Sequence, residues 1–252
     1  MFRLDGKIAV VIGGAGGIGE ACARALARQG ASVVVASRGL EKLQDVAEKI
    51  KADTGSESVA MPVDVTSEES VARLADQVVQ KFKTVDILVN SQGLNVKMSS
   101  VDIDFDTWDS LFATNVRGVM LACKVFGQIM VEKKQGKIIN LSSVRGIRGV
   151  GGGNTIYGAT KGAVDMITRM LAVEWAAYNV NVNAIGPSIV MTEMMKKAVT
   201  PERLQAALEK SLFKRFCTAE DVAGACVYLA APESDFVTGQ ILYVDGGLTA
   251  IG

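Results

Sequence analysis

Two residues four apart, Tyr157 and Lys161 in the run Tyr157-Gly158-Ala159-Thr160-Lys161, carry the sharpest chemical signal in this chain. Residues at that spacing share one face of a helix. An ammonium beside a phenol favours the phenolate and lowers the tyrosine pKa. A phenol tuned in this way serves as a general acid or base near neutral pH. A lone pair of this kind is more often a surface pair on a helix, so its meaning depends on its surroundings. Upstream, Leu141-Ser142-Ser143 closes an apolar run. Ligands of open α/β sheets bind at strand carboxyl ends, where a serine hydroxyl can hold a substrate oxygen. The chain contains no histidine. That removes Ser-His-Asp and Cys-His mechanisms and histidine-ligated zinc. Proton transfer falls to Tyr, Lys, Asp, Glu, Ser or Cys.

A second constellation opens the chain. An apolar run ending at Ile12 leads into Gly13-Gly14-Ala15-Gly16-Gly17-Ile18-Gly19, and a helical pattern follows. Glycines there permit a tight turn, let the backbone approach a pyrophosphate and let helix and strand pack closely. Free N–H groups at the helix start then face the anion. A glycine-rich turn alone is weak evidence, but its place between the first strand and first helix makes it a dinucleotide loop. The next apolar run ends at Ser37-Arg38, about 18 residues past Gly19, near where NAD binders carry a carboxylate for the ribose hydroxyl. A neutral serine followed by an arginine suits a 2′-phosphate instead. NADP(H) is therefore favoured. NAD(H) stays open, because Arg38 can equally cap the helix or stack on adenine, and Gly16 leaves the loop without a second basic residue.

These residues need a scaffold, and the hydrophobic pattern supplies one. Strands are expected at Lys7–Ile12, Ser32–Ser37, Ser58–Val63, Val85–Asn90, Lys137–Leu141, Val180–Ile185 and Gln240–Val244. Helices are expected at Gly17–Gln29, Leu40–Lys51, Ser67–Phe82, Asp106–Lys133, Thr155–Ala177 and Ala219–Ala230, with Ser67 as a cap. Strands that are apolar throughout belong to sheets covered on both faces. The alternation predicts an α/β fold: a single-domain Rossmann-type doubly wound parallel sheet of about seven strands with right-handed crossovers. No linker or low-complexity tract divides the 252 residues. The Met-rich stretch 191–216 reads as a substrate lid.

Composition narrows the class further. Lysine and arginine balance aspartate and glutamate, for a net charge of zero. This gives no sign of a nucleic-acid or membrane partner. No signal peptide or apolar stretch of membrane-spanning length is visible, so a cytoplasmic protein is expected. Cys22, Cys123, Cys217 and Cys226 lack the spacing of a metal or redox site and read as free, at least partly buried thiols.

Taken together, the glycine loop, an Asn-x-x-Gly at Asn90–Gly93, Ser143, Tyr157-x-x-x-Lys161 and Val244-Asp245-Gly246-Gly247 resemble, in order and nearly end to end, the short-chain dehydrogenase/reductase family. The resemblance implies hydride transfer between a nicotinamide cofactor and a secondary alcohol or ketone. It implies a catalytic set of Asn115, Ser143, Tyr157 and Lys161. Ser143 would polarise the carbonyl and Tyr157 would donate the proton. Lys161 would hold the cofactor ribose and tune the phenol, and Asn115 would hold a relay water. It assigns Gly13, Gly16, Gly17, Ile18, Gly19, Ser37 and Arg38 to the cofactor. Asp64 and Val65 would lie at the adenine, Asn90 at the adenosine ribose, and Gly93 in the same cleft. Ile185, Pro187, Ile189 and Thr192 would lie toward the nicotinamide. For Asp64 and Thr192 a helix-capping role is the competing reading. The chain departs from the family pattern at Ile12, which stands for a threonine, at Gln92, which stands for an alanine, and at Ser188, which stands for a glycine. The Ser143–Tyr157 interval is also one residue longer than usual.

Substrate candidates are Gln92, Asn95, Lys97, Arg145, Arg148, Asn154 and the Met191–Met195 stretch. The cations among them are either solvated loop charges or a site for an acidic or polyhydroxylated substrate. The segments VVVASR and AVEWAAYNVNVNAIGP are similar to the gluconate 5-dehydrogenase branch, which implies a ketogluconate or a related sugar acid. A 3-oxoacyl-thioester reductase of the same fold is the alternative, with Lys133 and Lys134 as candidates for an acyl-carrier-protein contact. A catalytically silent subunit is a further alternative, opposed by the complete Asn-Ser-Tyr-Lys set. The resemblance also implies a homotetramer. The helices at Asp106–Lys133 and Thr155–Ala177, apolar around much of their circumference, would pair between subunits.

Overall fold

The computed structural model describes residues 1–192 and 212–251, together with 195, 205, 208 and 209. Its strands are β1 (Ile8–Ile12), β2 (Ser32–Ser37), β3 (Ser58–Pro62), β4 (Ile87–Asn90), β5 (Gly136–Leu141), β6 (Val180–Pro187) and β7 (Ile241–Val244). They form one 7-stranded sheet in the order β3-β2-β1-β4-β5-β6-β7, every pairing parallel. The helices are α1 (Gly17–Arg28), α2 (Leu40–Thr54), α3 (Glu68–Phe82), α4 (Phe105–Phe112), α5 (Gly118–Lys133), α6 (Thr155–Trp175) and α7 (Ala219–Ala230).

Strand alternation explains the layers. Along β1, Ala9 and Val11 face one core with α1, α2 and α7. Ile8, Val10 and Ile12 face the other, with α3, α5 and α6. A fully buried Val or Ile contributes roughly 1.5–3 kcal/mol relative to exposure, so both faces of the sheet hold it in place. The expected doubly wound sheet is the one found.

Helix ends follow local chemistry. The Ser67 side chain accepts a hydrogen bond from the Ser70 N–H and caps α3, as its position predicts. Thr218 and Asp221 form a reciprocal capping box on α7. One expected element differs. The helix over Asp106–Lys133 is two helices joined by a π-helical turn at Ala113–Arg117, which buries Asn115. The apolar pattern runs through this turn without a break, so periodicity alone does not reveal it.

All four cysteines are free, Cys217 being the only one not fully buried. Among the described residues no helix is long and apolar enough to cross a membrane. Of the expected lid, residues 193, 194, 196–204, 206, 207, 210 and 211 lie outside the described residues.

Candidate active site

Sheet order fixes where the crevice lies. The chain leaves β1 toward β2 and β3 on one side, and β4 through β7 extend on the other. The crossovers part at the carboxyl ends of β1 and β4, where open α/β sheets bind ligands.

On the β1 side the wall is backbone. A Cβ on Gly13 would stand 2.6 Å from the Ser91 carbonyl carbon, and one on Gly19 only 2.2 Å from the Gly13 oxygen. Gly13 and Gly17 also take positive φ, at 82° and 57°. Side chains at Gly13 and Gly19 would collide with backbone and force open the tight turn that gathers the loop's N–H groups. Gly16 caps α1 without any side-chain hydrogen bond, and Ile18 lies in the first helical turn. The free N–H groups of that turn suit a pyrophosphate. A nicotinamide dinucleotide therefore fits this loop.

Charge is arranged around the same loop. Ser37 closes β2 and Arg38 follows it, exposed. The Asp64 carboxylate accepts hydrogen bonds from the Thr66 N–H at 2.9 Å and the Thr66 hydroxyl at 2.7 Å. Those bonds, with a smaller pull from Arg38, hold Asp64 below the usual carboxylate range. Asp64 thus forms a turn rather than the helix cap of its competing reading, a place that Ser67 takes, and it also lies near Arg38. Val65 packs on Gly118 of α5. The sequence reading missed Lys42. Its ammonium, from the first turn of α2, reaches within 3.1 Å of where a Gly16 Cβ would stand. This is the second cation that the glycine loop itself lacks. Its spacing after Arg38 is the one signal that pointed to it.

On the β4 side the wall is polar side chains. The Asn90 amide donates to Asn140 at 2.9 Å, and Asn140 donates to Thr168 at 3.0 Å. This buried ladder ties β4, β5 and α6 together and leaves the Asn90 backbone as its face toward the crevice. What β4 offers the crevice is the following Ser91, Gln92 and Gly93. Gln92 is nine-tenths buried, and neither polar atom of its amide has a partner. Asn115 accepts from the Leu94 N–H at 2.7 Å and donates to the Leu94 carbonyl at 2.8 Å. It also donates to Thr160 at 3.2 Å, so the π turn clamps the loop after β4 to α6. A Cβ on Gly93 would lie 3.6 Å from the Asn115 oxygen and 3.7 Å from the Lys161 ammonium.

Ser143, Tyr157 and Lys161 converge as expected. Ser143 lies two residues past β5, accepts from the Arg145 N–H at 3.2 Å and donates to the Pro187 carbonyl at 3.4 Å. Burial pushes the Tyr157 phenol up, opposed by a hydrogen bond to Ser143 and by the charge of Arg145. Lys161 lies 5.6 Å from the Tyr157 ring centroid and donates to the Leu141 carbonyl at 2.6 Å. Burial pulls its pKa down to about 8, against the opposing charge of Asp165. The sequence-based tuning is therefore altered: within the protein alone, Ser143 and Arg145 are the groups that lower the phenol. Asp165, one turn beyond Lys161, was also missed. It is buried, hydrogen-bonded to Ser142 and raised by its burial. The continued four-residue spacing from Tyr157 through Lys161 was its signal.

The remaining candidates divide. Ile185 is buried in the core beside α1 and α7. Pro187 ends β6 and Ile189 follows it, half-buried. The Thr192 methyl lies 3.3 Å from where a Gly17 Cβ would stand, while its hydroxyl accepts from the Met195 N–H at 3.3 Å. Thr192 thus lies against the glycine loop, and its hydroxyl makes the hydrogen bond of the capping reading. Arg145, Arg148 and Asn154 line one cleft of about 260 Å³. Within it, the Asn154 amide is committed to the Gly151 carbonyl at 2.9 Å. Asn95 and Lys97 lie outside this cleft on the loop after β4. Lys133 points elsewhere. It is pinned at 2.8 Å to both the Val85 carbonyl and Asp86, at the amino end of β4 and opposite the crevice.

A parallel sheet wound in this order, with a glycine loop after β1 and a serine, tyrosine and lysine meeting beyond β5, defines a short-chain dehydrogenase/reductase. A family model described as enoyl-(acyl carrier protein) reductase matches residues 13–249, and the chain belongs to this family of oxidoreductases. It is 38% identical to a galactitol 2-dehydrogenase (L-tagatose-forming) of Cereibacter sphaeroides, over 99% of this chain and 97% of that one. It is 34% identical to a 5-keto-D-gluconate 5-reductase of Escherichia coli K12, over 98% and 97%. A gluconate 5-dehydrogenase from Burkholderia cenocepacia J2315, solved in complex with NADP and tartrate, superposes with a TM-score of 0.94 at 32% identity, covering 100% of this chain and 98% of the other.

Proposed function

We propose that this single catalytic domain reduces a keto-sugar acid, such as a ketogluconate, with NADPH as the preferred cofactor. The observation that carries the chemistry is the meeting of Ser143, Tyr157 and Lys161 beside the crevice. Ser143 donates to the substrate carbonyl oxygen and polarises it. Tyr157 passes its proton to that oxygen. Lys161 keeps positive charge beside the phenol, and Asn115 braces the site through Leu94. Bound nicotinamide supplies the hydride that the carbonyl carbon receives. Ser37, Arg38 and Lys42 support a 2′-phosphate site, because a neutral serine ends β2, an arginine follows it and the Lys42 ammonium reaches the glycine loop. The unpartnered Gln92 amide supports a contact to ligand, since a buried polar group left alone costs about 1–3 kcal/mol.

The thioester reading keeps one favourable observation. Ile147 and Val150 are exposed apolar side chains near the cleft. Lys133 no longer supports it.

Assembly follows from exposed apolar side chains. Met166, Met170 and Val173 on α6 are exposed, as is Met120 on α5. A groove of about 660 Å³ with Phe112, Val116 and Ile167 in its lining runs beside them. A second copy of this chain presents the same apolar faces, so we infer pairing through α5 and α6 and a homotetramer. Sedimentation at micromolar concentration tests it; a monomer mass would end the idea. Four unpaired thiols support a reducing, cytoplasmic setting.

The deciding experiment follows nicotinamide absorbance with NADPH and NADH in parallel, against ketogluconates, simple ketones and acetoacetyl thioesters. Turnover of a ketogluconate with NADPH is expected, with loss in Tyr157→Phe. Turnover with NADH alone would overturn the cofactor assignment, and preference for the thioester would overturn the substrate.

A further inference from the structure

Arg145 sits in an unusual electrostatic position. It lies in the short turn Val144–Gly146 directly after Ser143, and its own N–H donates to the Ser143 hydroxyl at 3.2 Å. A Cβ on Gly158 would lie 3.3 Å from the Arg145 carbonyl oxygen, so the turn rests on the first turn of α6 beside Tyr157. The guanidinium is partly buried. Among the described residues no carboxylate pairs with it and no hydrogen-bond acceptor takes it. The charged and titratable groups that face it are the Tyr157 phenol and a second cation, Arg148. Arg148 is itself tied to the Leu248 carbonyl, which fixes it at the cleft wall. Two guanidiniums therefore share one cleft of about 260 Å³ with no carboxylate among its lining residues.

Partly burying a cation without a counter-charge is unfavourable, and placing two together adds repulsion. Such an arrangement is stabilised when an anion enters. A guanidinium fork matches a carboxylate with two parallel hydrogen bonds. The Arg145 backbone already touches Ser143, so an anion held by its side chain lies within one side-chain length of the carbonyl that Ser143 polarises.

We propose that Arg145, with Arg148 behind it, forms a carboxylate subsite that selects oxo- and hydroxy-acids over neutral ketoses. This deepens the hydride-transfer reading and rests on it. Arg145 is thus the specificity-determining residue, and Asn154 shapes the cleft by holding the Gly151 turn rather than by touching substrate.

The test compares three probes at saturating NADPH: 5-keto-D-gluconate, the neutral ketohexose L-sorbose, and D-fructose 6-phosphate. In the unmodified protein kcat/KM is expected to rank the carboxylate first. In Arg145→Gln the ratio of kcat/KM for ketogluconate over sorbose should fall on the order of 10- to 100-fold, the range of a lost charge-assisted hydrogen bond. Arg145→Lys keeps the charge without the fork and should recover only part of the ratio. An equal loss on both substrates would show that Arg145 only orients Ser143, and would overturn the subsite. A phosphate preferred over the carboxylate would overturn it as well. Gluconate binding by calorimetry, in the unmodified protein and in Arg145→Gln, reads the subsite without turnover. Weaker binding in the variant supports the subsite even if none of the ketones is reduced, a result that would sink the hydride-transfer reading alone. Equal binding in both proteins overturns the subsite.

Discussion

The two flanks of the crevice are built from opposite materials. The β1 flank works by absence: glycines expose backbone N–H groups, and a Cβ at Gly13 or Gly19 would meet backbone within 2.6 and 2.2 Å. The β4 flank works by presence: Asn115, Ser143, Tyr157 and Lys161 are side chains held by other side chains and by buried carbonyls. The difference teaches that binding and chemistry place different demands on one fold. A cradle for a phosphate tolerates few atoms. A proton-transfer site needs many, each fixed by a neighbour.

Substitutions on each flank should therefore fail in different ways. The largest effect is expected from Tyr157→Phe, which removes the proposed proton donor and leaves the ring. Its kcat should fall on the order of 10³-fold, within the range for general acid catalysis, while dinucleotide binding persists. Rapid turnover by this variant would break the division of labour. Gly19→Ala should do the reverse. The added methyl collides with the Gly13 carbonyl and should cost about 1–3 kcal/mol of stability, with weaker dinucleotide binding. Thermal denaturation and a fluorescence titration measure both, and an unchanged titration would remove the cradle argument.

Asn115→Ala leaves the Leu94 N–H and carbonyl without their partners. A loss of about 1–3 kcal/mol is expected in urea denaturation, along with lower kcat. A stable variant with normal kcat would show that the clamp is dispensable. The smallest expected change is in the pH profile. Lys161 titrates near 8, below its ordinary value, because it is buried. Reduction should fall as pH rises through about 8, where this lysine loses its charge. Asp165 opposes that loss, so Asp165→Asn should move the alkaline limb to lower pH. A limb that stays in place would separate Asp165 from the chemistry. Linkage gives the matching sign for stability. The unfolded chain holds this proton more tightly than the folded one between about 8 and 10.5, so the contribution of Lys161 becomes more favourable as pH rises across that window.

The same contrast explains what was legible beforehand. Glycines, apolar strands and the Tyr157–Lys161 spacing are local signals, and the doubly wound parallel sheet followed from them. The ladder of Asn90 with Asn140 and Thr168 was not legible, because nothing local tells whether the side chain of a strand-end asparagine turns outward or inward. Lys42 was missed because α2 brings it back over Gly16 from another element. The pull of Arg145 on Tyr157 depends on how two loops dock, which no periodicity encodes.

The π turn at Ala113–Arg117 holds one residue more than a regular helix needs there. Deleting one residue from it would heal the helix while the flanking helices keep their faces, because the wide turn alone absorbs the extra residue. The backbone would become more regular, and Asn115 would leave the loop it holds. The turn trades helix regularity for the hold that Asn115 has on Leu94. Thermostability screens that reward smooth helices should be expected to recover such deletions and to lose that hold with them.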